Sequence, residues 1–238
     1  MMRLGRGLAV VACVVLGLSG VARADWFDDA GAAHARGDYL TAVNIVKPHA
    51  ELGDARAQSR LGFMYAHGQG VAQDYKTAVK WFTLAAEQGY AAAQSNLGVM
   101  YGNGKGVAQD YKTAVKWYTL AAEQGDADAQ FNLGVMYRNG QGVAQDYKIA
   151  VKWYTLAAEQ GYASAQNNLG FMYGKGQGVA EDYVKAHMWY NIAAIDGSDK
   201  KAAPNRDAIA KQMTASQIAQ AQELALKCVA QKFRNCGS

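Results

Sequence analysis

The chain has 238 residues, half of them hydrophobic, with 26 glycines and only two prolines, Pro48 and Pro204. An alanine-rich, proline-poor sequence with enough apolar material for a continuous core favours helix, and its regularly spaced glycines favour punctuated helix over disorder. The formal charge is +4. Residues 1–24 hold three of the 24 basic residues (Arg3, Arg6, Arg23) and none of the 20 acidic ones. The remainder carries 21 basic against 20 acidic side chains, a balance of +1. Such near-neutrality leaves no electrostatic footprint for nucleic acid.

The N-terminus reads as an export signal over residues 1–24. Arg3 and Arg6 form a basic start, Leu8 to Leu18 an apolar run, and Ala22-Arg23-Ala24 a small-x-small cleavage pattern. The run is shorter than the ~20 apolar residues of a membrane span. The expectation is a cleaved signal peptide, a periplasmic or secreted mature chain, and no stable membrane span after cleavage. Val10-Val11-Ala12-Cys13 loosely matches a lipoprotein cleavage box, but Cys13 sits in the middle of the apolar run.

Residues 25–54 read as a degenerate N-terminal helix pair, with Asp38-Tyr39, Ala42 and Gly53 in the places that recur downstream. Residues 55–197 form four repeating units of 36 residues. Stretches 97–132 and 133–168 differ at only six positions, and Gly53, Gly89, Gly125, Gly161 and Gly197 keep the same spacing. Within a unit the first helix spans about Ala91 to Tyr101, with Ala93, Leu97, Gly98 and Tyr101 on one face. A small residue at Gly98 admits a close neighbour. The loop 102–106 breaks this helix. Asp110 caps a second helix whose stripe is Ala114, Trp117, Tyr118, Ala121 and Ala122, and Gly125 closes it.

Residues 198–238 leave the repeat and read as C-terminal capping helices and a tail. Thr214-x-x-Gln217 opens a helix as a capping box. Ile218, Ala221, Leu224, Ala225 and Cys228 then form a stripe suited to covering the last repeat. Cys228 and Cys236 are an even pair in an oxidising compartment. In one continuous helix they would be about 12 Å apart, too far for a bridge. A disulfide therefore requires the helix to end near Lys232 or Phe233 and the tail to turn back. The sequence favours that arrangement over two unpaired thiols.

The run Ala93, Leu97, Gly98, Tyr101, Gly104, Gly106, Val107, Asp110, Ala114, Trp117, Tyr118, Ala121, Ala122 and Gly125 resembles the Sel-1-like repeat family. The resemblance implies an all-α fold, a right-handed α-solenoid of antiparallel helix pairs akin to tetratricopeptide superhelices. It also implies that the first helix of each pair lines a concave face.

Catalytic patterns fare poorly. His34, His49, His67 and His187 share no repeat position and no metal-ligand spacing, so no metal or cofactor is expected. Gly102-x-Gly104-x-Gly106 follows a helix rather than a strand and recurs in other units, unlike a nucleotide loop. Ser198-x-x-Lys201 matches the nucleophile motif of penicillin-recognising enzymes, an activity assigned to some Sel-1-like proteins, but its S-D-N and K-T-G partners are absent. A hydrolase or penicillin-binding role on cell-wall or β-lactam substrates is therefore the alternative reading, and a non-enzymatic scaffold the favoured one. Trp81, Trp117, Trp153 and Trp189, with the tyrosines spaced by 36, read as packing between units rather than a ligand-stacking array.

Non-repeating positions remain for function. On the first helices the outward positions are Arg56, Ser59, Phe63 and His67, then Ser95, Val99 and Asn103 beside Ala92. Asp128, Phe131, Val135, Arg138 and Asn139 follow, and then Asn167, Phe171 and Lys175 beside Ser164. Three of the six differences between the two near-identical stretches fall on the first helices, at 102/138, 128/164 and 131/167. Apolar anchors with a polar rim predict binding of a protein or peptide partner, the alternative being that these residues pack between neighbouring first helices.

Overall fold

A computed structural model describes residues 26–195, 197–234 and 236. The predicted export segment lies outside them. The described residues form twelve helices and no strand. In chain order these are α1 (Trp26–Ala35), α2 (Tyr39–Glu51), α3 (Ala55–His67), α4 (Tyr75–Glu87), α5 (Ala91–Asn103) and α6 (Tyr111–Glu123). They continue with α7 (Ala127–Asn139), α8 (Tyr147–Ala158), α9 (Ala163–Lys175), α10 (Tyr183–Ala193), α11 (Ala202–Ala210) and α12 (Ala215–Ala230). Each helix from α1 to α10 packs on the next, and both α11 and α12 dock on α10. The molecule is thus a solenoid of helix pairs with a different C-terminal end.

Local chemistry sets the helix ends. Asp110 Oδ1 accepts from the Lys112 and Thr113 amides at 2.9 and 3.2 Å, and the same cap recurs at Asp74 and Asp146. These bonds satisfy free N–H groups of the first turn. Gly104 adopts φ +66° and ends α5 in the left-handed geometry that favours glycine. The first helix therefore runs two residues past the expected Tyr101. Gly102 is a buried packing residue inside it, with Met136 and Ala114 nearby.

The core is a series of slabs, each built from a second helix and the first helix that follows. Ala114, Val115, Tyr118, Ala121 and Ala122 of α6 meet Ala129, Leu133 and Met136 of α7. Close approach within a pair depends on glycine. A Cβ at Gly98 would lie 2.6 Å from the Tyr118 ring, and Gly62, Gly134 and Gly170 face Phe82, Tyr154 and Tyr190 in the same way. These four aromatics are all buried. The predicted row Trp81, Trp117 and Trp153 is only half-buried at the slab edges, while Trp189 is fully buried. The difference is α12, whose Ala221, Ala225 and Cys228 join the slab containing Trp189 and Ile192.

Buried glutamines stitch neighbouring units together. Gln94 Nε2 donates to the Ala86 carbonyl at 3.1 Å, and Gln94 Oε1 accepts from Gln124 Nε2 at 2.7 Å. Gln58 and Gln130 repeat both bonds. A buried amide is tolerable only when paired, and this pairing fixes one unit against the next.

Burial pushes the hydroxyls of Tyr154 and Tyr190 up to about 12. Their folded pKa lies above the unfolded value of about 10, so the contribution is fully present below pH 10 and is lost as pH rises through 12. Stability is expected to decline across that window, with the highest-pH part of the tyrosinate absorbance rising together with loss of helical signal. Absorbance rising to completion well before the helices melt would contradict this.

At the C-terminus Thr214 and Gln217 form the reciprocal capping box. Past Ala230 the backbone reverses through Lys232 and Phe233, with φ of 53° and 64°. That turn brings Cys236 back to Cys228, Cα to Cα 5.3 Å, as a disulfide. Phe233 packs against the α12 slab. Reduction is expected to release the tail and lower the stability of the α10–α12 end by about 2–3 kcal/mol, the chain-entropy value for so short a loop. Hydrogen exchange with and without reductant should speed up in α12 while α4–α7 stay unchanged. Unchanged exchange in α12 would refute the expectation.

Candidate functional site

Five depressions run along the side presented by the odd-numbered helices. The first is lined by Phe27 and His34 of α1, by Arg56, Ser59, Arg60, Phe63 and Met64 of α3, and by Tyr90 and Asn96. The second holds Ala92, Ser95, Asn96, Val99, Asp126, Asp128 and Asn132. Val99, Gly102, Asn103 and Val135 line the third. Arg138, Asn139 and Phe171 line the fourth, beside Tyr147 and two loop glutamines. The last contains Phe131, Ser164, Asn167, Asn168 and residues 198–201.

Most of the predicted strip therefore lies along one groove. Arg56, Phe63, Asn103, Asp128 and Asn139 are exposed, and Val99, Phe131, Val135, Arg138 and Phe171 are half-buried. Ser59, Ser95 and Asn167 depart from the expectation: they are buried, at 7, 6 and 8% exposure. Their short side chains sit at the floor of the depressions, where neighbouring first helices meet, and α11 covers Asn167 through Asn205, whose Nδ2 donates to Asn167 Oδ1 at 3.0 Å. His67 and Lys175, at the last turns of α3 and α9, are exposed but line none of the five depressions.

Aromatic and charged groups are held in place along the groove. Phe63 stacks on His67 at 4.0 Å between ring centroids. The Arg138 guanidinium lies 5.6 Å from the Phe171 ring. Phe131 leans on Tyr162 at 5.1 Å and Tyr154 at 6.0 Å. Burial and then the Asp128 carboxylate push the Tyr162 hydroxyl up to about 12, which keeps it a hydrogen-bond donor. Charge differs between the depressions: arginines in the first, Asp126 and Asp128 in the second, Arg138 in the fourth, and Asp199 with Lys200 and Lys201 in the last.

Sequence reasoning missed Arg60. Its signal was available, because positions 96, 132 and 168 in the other units are all asparagine. Ser198 and Lys201 both line the last depression and are both exposed. The Lys201 amide is engaged as a donor to Asp199 Oδ1 at 2.9 Å. Among the described residues no group of three or more His, Cys, Asp or Glu side chains can hold a metal. None of their helices is long and apolar enough to cross a membrane.

A repeated helix pair, glycine-spaced aromatics and a groove along the first helices define an α-solenoid of the scaffold type. The Sel1 repeat model matches residues 55–90, 91–126, 127–162 and 163–198, and the chain belongs to the Sel1 repeat family. Proteins of this family are generally protein–protein interaction scaffolds. Among solved structures, a Sel1 repeat protein from Oxalobacter formigenes is 32% identical, with a TM-score of 0.74 over 86% of this chain and 83% of its own. The c5321 protein, a protective antigen of uropathogenic Escherichia coli displaying an SLR fold, is also 32% identical, with a TM-score of 0.53. That match covers 83% of this chain and 50% of the antigen. The immunity protein Pa5087 from Pseudomonas aeruginosa, 22% identical, shares the fold, with a TM-score of 0.53 over 87% of this chain and 82% of its own. No curated protein gives a match.

Proposed function

We propose that the protein is an exported scaffold, periplasmic or secreted, that binds a protein or peptide partner along the concave face of its first helices. The observation that carries the reading is the coincidence of the groove with non-repeating residues. Most positions identical between units build slabs, caps and loops, whereas varying positions such as 56/92/128/164 and 63/99/135/171 open onto the depressions, beside some repeated residues such as Tyr111 and Tyr147. A scaffold needs that division, because core residues must repeat for units to stack while recognition must not. Export is supported by the N-terminal pattern and by a disulfide of the kind that persists in oxidising compartments.

Phe63 and Phe171 are the best probes, being aromatic side chains open to the groove. Phe63→Ser/Phe171→Ser is expected to keep the helical signal and to lose most partners recovered by affinity capture from an envelope fraction. Phe131→Asp is a harsher variant, since that ring also packs on Tyr154. If folded Phe63→Ser/Phe171→Ser protein recovers the same partners as the parent, the groove is not the binding face.

A further inference from the structure

We infer that the first depression is a recognition pocket for an acidic side chain of a bound peptide, an Asp or Glu flanked by an apolar residue. This deepens the peptide-binding reading above and rests on it.

Four observations converge. Arg56 and Arg60 lie one helical turn apart on α3, so both guanidinium groups reach the same depression. Each stands over the Phe27 ring, at 5.4 and 5.6 Å, which fixes long side chains that would otherwise lose entropy on binding. Arg60 has no ion pair among the described residues, and its Nε is buried without a hydrogen-bond partner although the residue lines the pocket. That Nε is out of a ligand's reach, but the terminal N–H groups of a guanidinium with no carboxylate partner suit bidentate pairing with one. Arg56 is only partly compensated, by Asp54 at 3.9 Å.

Phe63 adds an apolar side to a wall otherwise shared with His34, Ser59, Tyr90 and Asn96, which suits a neighbouring Leu, Met or Phe of the ligand. The next depression decides between classes of polyanion. It is lined by Asp126 and Asp128, so a nucleic acid running along the groove would meet like charge. A peptide with one acidic residue meets none. Comparison between units gives the same assignment: where this unit has Arg56 and Arg60, the following ones have Ala92 and Asn96, then Asp128 and Asn132. The basic pair belongs to this pocket alone among the four repeats.

The test is selection by the purified protein from random twelve-residue peptides displayed as internal fusions, which have no free C-terminus. Enrichment of Asp or Glu beside Leu, Met or Phe is expected. The best peptide, synthesised acetylated and amidated, should bind roughly tenfold or more weakly to Arg56→Ala/Arg60→Asn protein. Arg56→Asp/Arg60→Asn should turn the selected preference towards Lys and Arg. Both variants carry residues that the same positions already hold in other units, and helicity by circular dichroism confirms folding. Should either double variant unfold, Arg60→Asn alone is compared.

Several results would overturn the inference. Peptides enriched without acidic preference, or bound equally by the folded variants, would remove it and leave the peptide-binding reading standing. No enriched peptide at all would remove both. Enrichment only from a library with free C-termini would assign the pocket to a chain end instead. Tight binding of a twelve-nucleotide single-stranded DNA at the same arginines would assign it to nucleic acid.

Discussion

Tyr154→Ala is expected to lower stability by about 3–5 kcal/mol, the range for removing a fully buried aromatic side chain. The ring is 0% exposed and packs over Gly134, in a slab with Ala150, Leu169 and Met172. Gly134 has no side chain to fill the space left behind, so relaxation is limited and the cavity cost persists. The converse change overfills the same place. In Gly134→Ala the new methyl would lie 2.6 Å from the Tyr154 ring, an overpacking cost of about 1–3 kcal/mol. Replacing a helical glycine returns up to about 1 kcal/mol, so the clash wins and the variant is still destabilised. Combined, the two changes should cost less than their sum by about 1 kcal/mol or more, because the methyl occupies part of the cavity. Urea unfolding gives the three values. Unfolding of a repeat array need not be two-state, so hydrogen exchange in α7 and α8 checks where the loss falls. Strict additivity would show that Gly134 and Tyr154 do not share one packing site.

The framework was legible because its determinants are local or periodic. Asp110, Gly104, Gly125 and the Thr214–Gln217 pair act within a few residues of where they stand, and the 36-residue spacing of Gly98 and Tyr118 announces a contact made again in every unit. Contacts between units were less readable. Nothing about Gln94 in isolation says that it is buried and paired with Gln124 of the same unit's second helix as well as with Ala86 of the unit before. An exposed glutamine on a helix would repeat just as faithfully. The groove was half-legible for the same reason. Variation between units marked Arg56, Asp128 and Phe171, but variation does not separate a rim from a floor. Ser59, Ser95 and Asn167 are small residues at the place where first helices converge, and burial there depends on tertiary spacing. Arg60 was passed over because its position, one turn beyond Arg56, falls on the flank of the helix that only the packing of α1 and α5 turns into a pocket wall.

Gly142→Ala is the second change with a large expected effect, about 2–5 kcal/mol. Gly142 has φ +74°, where a non-glycine residue costs about 1–2 kcal/mol. More of the loss comes from contact: a Cβ there would enter the Tyr111 carbonyl group at the first turn of α6. That neighbour is backbone, fixed by the Asp110 cap, and no rotamer change relieves it. Gly125 separates the two terms. Its φ is +92° but nothing lies within 4 Å of a Cβ, so Gly125→Ala should show the conformational cost alone, about 1 kcal/mol. Gly142 belongs to the loop that seats one unit on the one before, and Gln141 beside it lines the third depression. The variant should therefore move Gln141 relative to Val99 and Asn103 on α5. Where it remains folded it should weaken groove ligands, whereas Gly125→Ala, whose added Cβ meets nothing within 4 Å, should leave Gln141 in place and binding unchanged. Equal stability losses for the two variants would mean that the Gly142 loop yields under contact, and that the pitch between units is set by the buried glutamines instead.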